Sequence, residues 1–295
     1  MVKENEAGIA FETFKQEVLA DYRLACVSRE ASLLGRKEVL TGKAKFGIFG
    51  DGKEVAQIAL AKFFQDGDFR SGYYRDQTWM MAIGALTVEA YFSGLYAHTD
   101  VQIEPQSAGR QMGGHFATRN LDEHGQWKEL TKQKNSSSDI SPTAGQMPRL
   151  LGLALASKVY RNNPALQSPD FQKFSIQGNE VAFGSIGDAS TSEGPFWETL
   201  NAAGVLQVPM VMSVWDDGYG ISVPRELQTV KNSISEALAG FQRTENQPGF
   251  EILTTKGWDY AHLCQTYKKA VSIARTEHIP VLVHVQEGKQ PQGQD

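Results

Sequence analysis

Two rhythms of apolar residues divide the chain. From Thr143 onward they alternate. Ala144 to Tyr160 places its apolar residues at helical intervals, and Val181 to Ile186 is a short, nearly unbroken apolar run. Glu193 to Leu206 returns to helical spacing, and Val208 to Trp215 is a second apolar run. Runs of this length and density fit strands buried on both faces. A helix near Leu227–Ala239, a strand at Phe250–Leu253, a helix at Tyr260–Glu277 and a strand at Pro280–Val285 complete the series. Strands that alternate with helices require right-handed βαβ crossovers. The spacing therefore predicts an α/β fold, a parallel sheet flanked by helices on both faces.

The first half reads differently. Ala10 to Arg36 has the loose amphipathic spacing of a long helix, with Phe11, Phe14, Val18, Leu19, Tyr22 and Leu24 along it. This helix would form most of an N-terminal arm over residues 1–40. A glycine-punctuated loop (Gly42 to Gly52) leads to a helix over Lys53–Phe64, and Trp79 to Tyr96 reads as one further helix. Thr99 to Ser138 is polar and irregular, and an irregular stretch of that length in a compact domain is usually functional or disordered. No internal repeat is visible, so residues 1–295 read as one domain.

Composition narrows the class. The chain is 41% hydrophobic and 21% charged, ordinary for a soluble globular protein. A net charge of −5 argues against a nucleic-acid or anionic membrane surface. Cys26 and Cys264, far apart in helix-like contexts, read as reduced, buried thiols. The start, Met1-Val2-Lys3-Glu4-Asn5-Glu6, lacks the apolar region of a secretory signal. No apolar run approaches the roughly 18 residues that span a bilayer. The expected location is the cytoplasm.

Candidate chemistry sits where the apolar runs stop. Gly187-Asp188-Ala189 closes the first run, and Asp216-Asp217-Gly218-Tyr219 closes the second. With a helix between them, two carboxylates emerge side by side at the carboxyl edge of a parallel sheet, where open α/β sheets bind ligands. Small residues beside Asp188, with Ser192 as the cap of the next helix, suit an oxygen-rich phosphate held by a hard divalent cation.

Asp217 follows Asp188 by 29 residues. That two-part pattern resembles the thiamine diphosphate motif: Gly-Asp-Gly, about thirty residues, then Asn-Asn. More narrowly, Gly187-Asp188-Ala189-Ser190-Thr191-Ser192-Glu193-Gly194 and Asp217-Gly218-Tyr219-Gly220-Ile221-Ser222 resemble the α region of 2-oxo acid dehydrogenase E1 components. The resemblance runs from about Gly50 to Asp295 and implies the thiamine diphosphate-binding fold. It implies Mg²⁺ held by Asp188, Asp217 and the Tyr219 backbone carbonyl, with diphosphate oxygens and water completing an octahedron. Gly187, Ala189, Ser190 and Ile221 would line the cofactor.

The chain departs from that pattern in two places. Asp216-Asp217 replaces the Asn pair, which puts extra negative charge beside a polyanion unless cations compensate. Trp215 stands where branched-chain members often carry a diphosphate-binding Arg. Arg75 is the expected compensator, because Gly72-Tyr73-Tyr74-Arg75-Asp76 resembles the family's Tyr-Arg element. There the Arg grips diphosphate in a planar fork and the Tyr, here Tyr74, lies against the cofactor.

Ser141-Pro142-Thr143-Ala144-Gly145-Gln146 stands where the family lays the aminopyrimidine. Ser141 would hydrogen-bond that ring, and Thr143 occupies the place of a bulky aliphatic prop. Gly109-Arg110-Gln111-Met112-Gly113-Gly114-His115 resembles the element whose histidine faces the reacting carbon, so His115 is the expected catalytic acid–base. Each feature also has a plainer reading. Arg75-Asp76 is then a surface helix cap with a salt bridge, Ser141 begins an ordinary first turn, and His115 is structural. His98, His124, His262, His278 and His284 lack such context and read as structural. Gly47-Ile48-Phe49-Gly50-Asp51-Gly52 does not have the order of a dinucleotide loop, and no Gly-Lys-Ser/Thr phosphate loop occurs.

The resemblance implies thiamine diphosphate-dependent oxidative decarboxylation of a 2-oxo acid, of the branched-chain subgroup by its wording. The acyl group would pass to the lipoyl arm of an E2 acyltransferase. It also implies a β-type E1 subunit or domain, as a heterotetramer or a fused homodimer. Gln290-Pro291-Gln292-Gly293 resembles the start of a histidine-bearing loop, and the chain ends at Asp295. An α-type region of a longer or fused chain, inactive without its β partner, is therefore expected. A transketolase-like carboligase and a non-catalytic homologue of the same fold remain as alternatives.

Overall fold

The computed structural model describes residues 11–288; the Gln290–Gly293 stretch lies outside them. In chain order the helices and strands begin with α1 (Phe11–Leu40), α2 (Glu54–Ala61), β1 (Phe69–Ser71), α3 (Gln77–Ala82), α4 (Val88–Leu95) and β2 (Asn135–Ser136). There follow α5 (Gln146–Asn162), β3 (Ala182–Gly187), α6 (Gly194–Leu206), β4 (Met210–Trp215), β5 (Tyr219–Gly220) and β6 (Val223–Pro224). The last are α7 (Ile234–Ala237), β7 (Glu251–Lys256), α8 (Tyr260–Glu277) and β8 (Val281–Gln286).

Six strands form one sheet in the order β2-β1-β3-β4-β8-β7, and every pairing in it is parallel. Strand side chains alternate between faces, and here both faces are apolar. Val181, Phe183, Val211, Trp215, Val281 and Val283 pack with α2, α3 and α8. Ala182, Ile186, Met210, Met212, Val214 and Leu282 pack with α5 and α6 on the other side. The expected α/β architecture, a parallel sheet with helices on both faces, is what the chain adopts. Helix α1 lies across α2 and α8: Asp21 accepts from Lys62 Nζ at 2.7 Å and from the Tyr260 hydroxyl at 2.5 Å. No described helix is long and apolar enough to cross a membrane.

Three expectations change. The single helix over Trp79–Tyr96 is two, because Gly84 stops α3 at a positive φ of 76°. Gly84 N donates to Met81 O and Ala85 N to Met80 O, a paired closure of the helix end. Thr87 Oγ1 then caps α4 by accepting from Ala90 N. The helix near Leu227–Ala239 is mostly tight turns, with Lys231 and Asn232 at positive φ, and only α7 is helical. The thiols are not both buried: Cys26 is exposed on α1 and Cys264 is half-buried on α8.

Strands β1 and β2 and the β5–β6 hairpin carry no apolar run. β1 is Phe-Arg-Ser and β2 is Asn-Ser, and both are held by ladder hydrogen bonds and by Arg70.

Candidate functional site at the carboxyl rim of the sheet

The site begins with strand register. Gly187 at the end of β3 pairs with Trp215 at the end of β4, so Asp188 and Asp216 leave the sheet side by side. Asp188 N donates to Trp215 O at 3.1 Å, and Asp216 N donates to Val285 O at 2.9 Å. A 3₁₀ turn over Ala189–Ser192 then leads to α6, where Glu193 rather than Ser192 stands at the N-cap. After Asp217 the chain forms the β5–β6 hairpin, whose turn residue Ile221 has a φ of 57°.

Gly220 sits where a Cβ would fall 2.6 Å from Ala189 Cβ and 2.6 Å from Gln228 Oε1. Only a glycine allows this approach, and through it the two halves of the sequence motif touch.

The three carboxylates on this rim differ in surroundings. Asp216 is buried, which alone would push its carboxyl up. The His284 Nε2 hydrogen bond at 2.8 Å and Arg225 Nη1 at 2.5 Å instead hold it below the usual carboxylate range. Asp217 Oδ2 accepts from Lys53 Nζ at 2.8 Å, an ion pair with little solvent exposure on either side chain. Asp188 is 4% exposed, and its Oδ2 has no hydrogen-bond partner. Burial first, then the charges of Asp217 and Asp216, push its carboxyl up to about 8. Asp188 and Asp217 thus lie close enough for their charges to interact, and the buried Asp188 carboxyl, with no cation hydrogen-bonded to it, keeps its proton to higher pH. Among the described residues no three Asp, Glu, His or Cys side chains form a metal cage by themselves. A cation here would need backbone and ligand oxygens to complete its shell.

The remaining candidates converge from the other side. Tyr73 is 5% exposed, with a hydroxyl that lacks a partner and lies 3.8 Å from where a Cβ on Gly187 would stand. Tyr74 is half-buried, with the Arg75 guanidinium 5.7 Å from its ring centroid. Arg75 Nη1 donates to Phe49 O at 2.9 Å. Gly114, at a φ of 88°, lets the following segment approach Tyr74, since a Cβ there would come within 2.9 Å of the Tyr74 carbonyl.

That approach seats His115 beneath the surface at 6% exposure. Its Nδ1 lies 3.0 Å from Met112 O and its Nε2 2.9 Å from Ser141 Oγ. A carbonyl only accepts, so Nδ1 carries the proton, and in the neutral ring Nε2 accepts from the Ser141 hydroxyl. His115 and Ser141, 26 residues apart, form one unit. Thr143 is exposed on the turn before α5, and Ile221 is exposed at the hairpin tip.

A profile of the dehydrogenase E1 component family matches residues 22–287, nine-tenths of the chain. The chain belongs to the dehydrogenase E1 component family. Membership implies thiamine diphosphate as the cofactor of this E1 component. It also favours the dehydrogenase type over a transketolase-like carboligase.

Over 273 residues the chain is 29% identical to the 2-oxoisovalerate dehydrogenase subunit alpha of Bacillus subtilis (strain 168), covering 91% of this chain and 69% of that protein. It is 25% identical over 242 residues to the mitochondrial 2-oxoisovalerate dehydrogenase subunit alpha of Caenorhabditis elegans, covering 82% of this chain and 47% of that one. The pyruvate dehydrogenase E1 component subunit alpha of Acholeplasma laidlawii is 23% identical over 269 residues, covering 91% of this chain and 64% of that relative.

Three residues of this E1 site were not singled out from sequence: Lys53, Arg225 and His284. Lys53 did carry a signal. It is the N-cap residue of α2, and a cation is disfavoured at a helix N-terminus unless an anion faces it. His284 read as structural, and it is a buried partner of Asp216. Arg225 carries no local mark.

Proposed function

We propose that this chain is the α portion of a 2-oxo acid dehydrogenase E1 component, with residues 1–295 as one thiamine diphosphate-binding domain. It would act in the cytoplasm on a branched-chain 2-oxo acid. One observation supports the reading most: a buried carboxylate oxygen of Asp188 without a partner, within reach of the Asp217 charge at the rim where both motif halves meet. Asp188, Asp217 and the Tyr219 carbonyl would hold Mg²⁺ there, and the metal would supply positive charge to the diphosphate.

Gly187, Ala189, Ser190 and Ile221 would line the cofactor, and Arg75 with Tyr74 would hold its diphosphate. Ser141 and Thr143 would hold the aminopyrimidine. When bound, thiamine diphosphate supplies the carbon nucleophile and the electron sink for decarboxylation. His115 holds one proton at Nδ1 against Met112 O and takes or returns a second at Nε2, which suits it to protonate the substrate oxygen. A β-type E1 subunit or domain completes the site, and a lipoyl-bearing E2 acyltransferase accepts the acyl group.

The deciding experiment is calorimetric titration of thiamine diphosphate with Mg²⁺ into the chain assembled with its β-type partner. It is followed by decarboxylation assays with 2-oxoisovalerate and pyruvate. Metal-dependent heat and faster turnover of 2-oxoisovalerate are expected. Absence of heat with the partner present would make the protein a non-catalytic homologue. Turnover by the chain alone would overturn the need for a partner.

A further inference from the structure

We propose that Lys53 is a positioning residue of the cofactor site: its ammonium neutralises Asp217. This chain can then hold a divalent cation and a diphosphate with an aspartate where the family pattern has asparagine. The proposal rests on the function proposed above. It names a residue that the motif does not contain, 164 positions away from its partner.

Lys53 Nζ meets Asp217 Oδ2 at 2.8 Å, and the two side chains retain 4% and 10% exposure. Removing the lysine charge leaves the Asp217 carboxylate buried without this counter-ion, a situation far costlier than an exposed ion pair is stabilising. The pair is therefore a unit.

Three influences oppose the Lys53 charge. Burial is the largest, the nearby Arg75 repels it, and its place at the N-terminus of α2 sets it against the helix dipole. The Asp217 carboxylate is the largest influence in its favour.

The effect on the site is electrical. An asparagine at 217 would offer a metal a neutral carbonyl oxygen. Asp217 offers a charged one, and a second anion beside Asp188 would repel an incoming diphosphate. With Lys53 on Oδ2, the Asp217–Lys53 pair is neutral as a whole, and an oxygen is still available to a cation. Asp216 is matched in the same way by Arg225 and His284. Two of the three carboxylates are thus compensated from within the chain, and Asp188 alone brings an uncompensated charge to the metal. Trp215 supplies no charge to diphosphate, and its indole Nε1 is itself buried without a partner. The balance falls to Lys53 and Arg75.

A double-mutant cycle tests this in the chain assembled with its β partner, read as the dissociation constant for thiamine diphosphate at saturating Mg²⁺. Lys53→Met keeps the buried stem and should weaken binding about tenfold or more. In an Asp217→Asn background the same change should cost less than about twofold. Lys53→Arg should restore most of the affinity. Equal losses from Lys53→Met in both backgrounds, with wild type binding normally, would overturn the pair while leaving the proposed function intact. Failure of wild type to bind would overturn both. Where Lys53→Met alone does not fold, Lys53→Met/Asp217→Asn is expected to fold, by thermal unfolding without cofactor, and to bind. A double variant that also fails to fold refutes the compensation.

Discussion

Two clusters of buried charge lie near the same edge of the sheet and are built to opposite ends. In the first, Arg70 is fully buried and uses its guanidinium on Asp76, Asp139, Ser136 and the Tyr73 carbonyl, at 2.7 to 3.1 Å. Asp76 Oδ2 also accepts from Tyr73 N at 3.1 Å and from Ser185 Oγ at 2.5 Å, and Asp139 Oδ2 accepts from Phe116 N at 3.2 Å. That network ties β1, α3, β3 and the loop before α5 together. In the second, Asp216 and Asp217 are matched, but among the described residues no cation is hydrogen-bonded to Asp188, whose Oδ2 lacks a partner. Asp76 Oδ1 is also buried without a partner, but Arg70 on its other oxygen balances the charge. A network closed in charge fixes the backbone around a site. An open one stores an unmet electrostatic demand that a bound cation can satisfy, and active sites are where such demands collect.

The contrast is sharpest under substitution, and the largest effect belongs to the closed cluster. Arg70→Met strands two carboxylates in the interior and should cost about 3–5 kcal/mol in chemical denaturation. Neutralising Asp76 and Asp139 as well should recover most of that loss. A small effect from Arg70→Met would mean that water reaches the network.

Asp188→Asn should do the reverse. Because folding raises the Asp188 pKa to about 8, the folded chain keeps a proton that the unfolded chain releases above about pH 4. The Asp188 contribution to wild-type stability is therefore most favourable below that pH and declines as pH rises toward 8. The asparagine variant, which cannot ionise, should gain on wild type across this window. At pH 8 the gain should be at most about 5 kcal/mol, the full linkage value for a rise of that size, or up to roughly 8 °C in Tm. Affinity for thiamine diphosphate with Mg²⁺ should fall about 100-fold in the same variant. Thermal scans at pH 5 to 8 and calorimetry check the two halves. No gain at pH 8 would show that the cations on the neighbouring carboxylates already satisfy Asp188.

Ser141→Ala is the mildest. It removes one of two hydrogen bonds that orient the His115 ring, and Ser141 is exposed. Stability should change by less than about 1 kcal/mol while turnover of the assembled enzyme falls about 5- to 10-fold. Equal turnover would release Ser141 from any role in orienting His115.

Much of this site was legible before folding. The positions of Gly187-Asp188 and Asp217 at the ends of apolar runs already put two carboxylates on one rim, and the Met112–His115 wording already marked the histidine. What the sequence did not reveal was the compensation on the carboxylates themselves. Arg75 was expected to offset the aspartate pair through the diphosphate, and Lys53, Arg225 and His284 are the groups found on Asp217 and Asp216. The β1 and β2 strands were missed for a related reason. Their stability comes from ladder bonds and a buried arginine rather than from apolar side chains, so no periodicity records them.

The sequence by itself determined the alternation of strands and helices, the parallel sheet, and which edge carries acid. These follow from local burial patterns that repeat every two or 3.6 residues. Only the tertiary structure decided which charges meet. Lys53 and Asp217 are 164 residues apart, and electrostatic pairing depends on distance in space, which no local pattern of residues encodes.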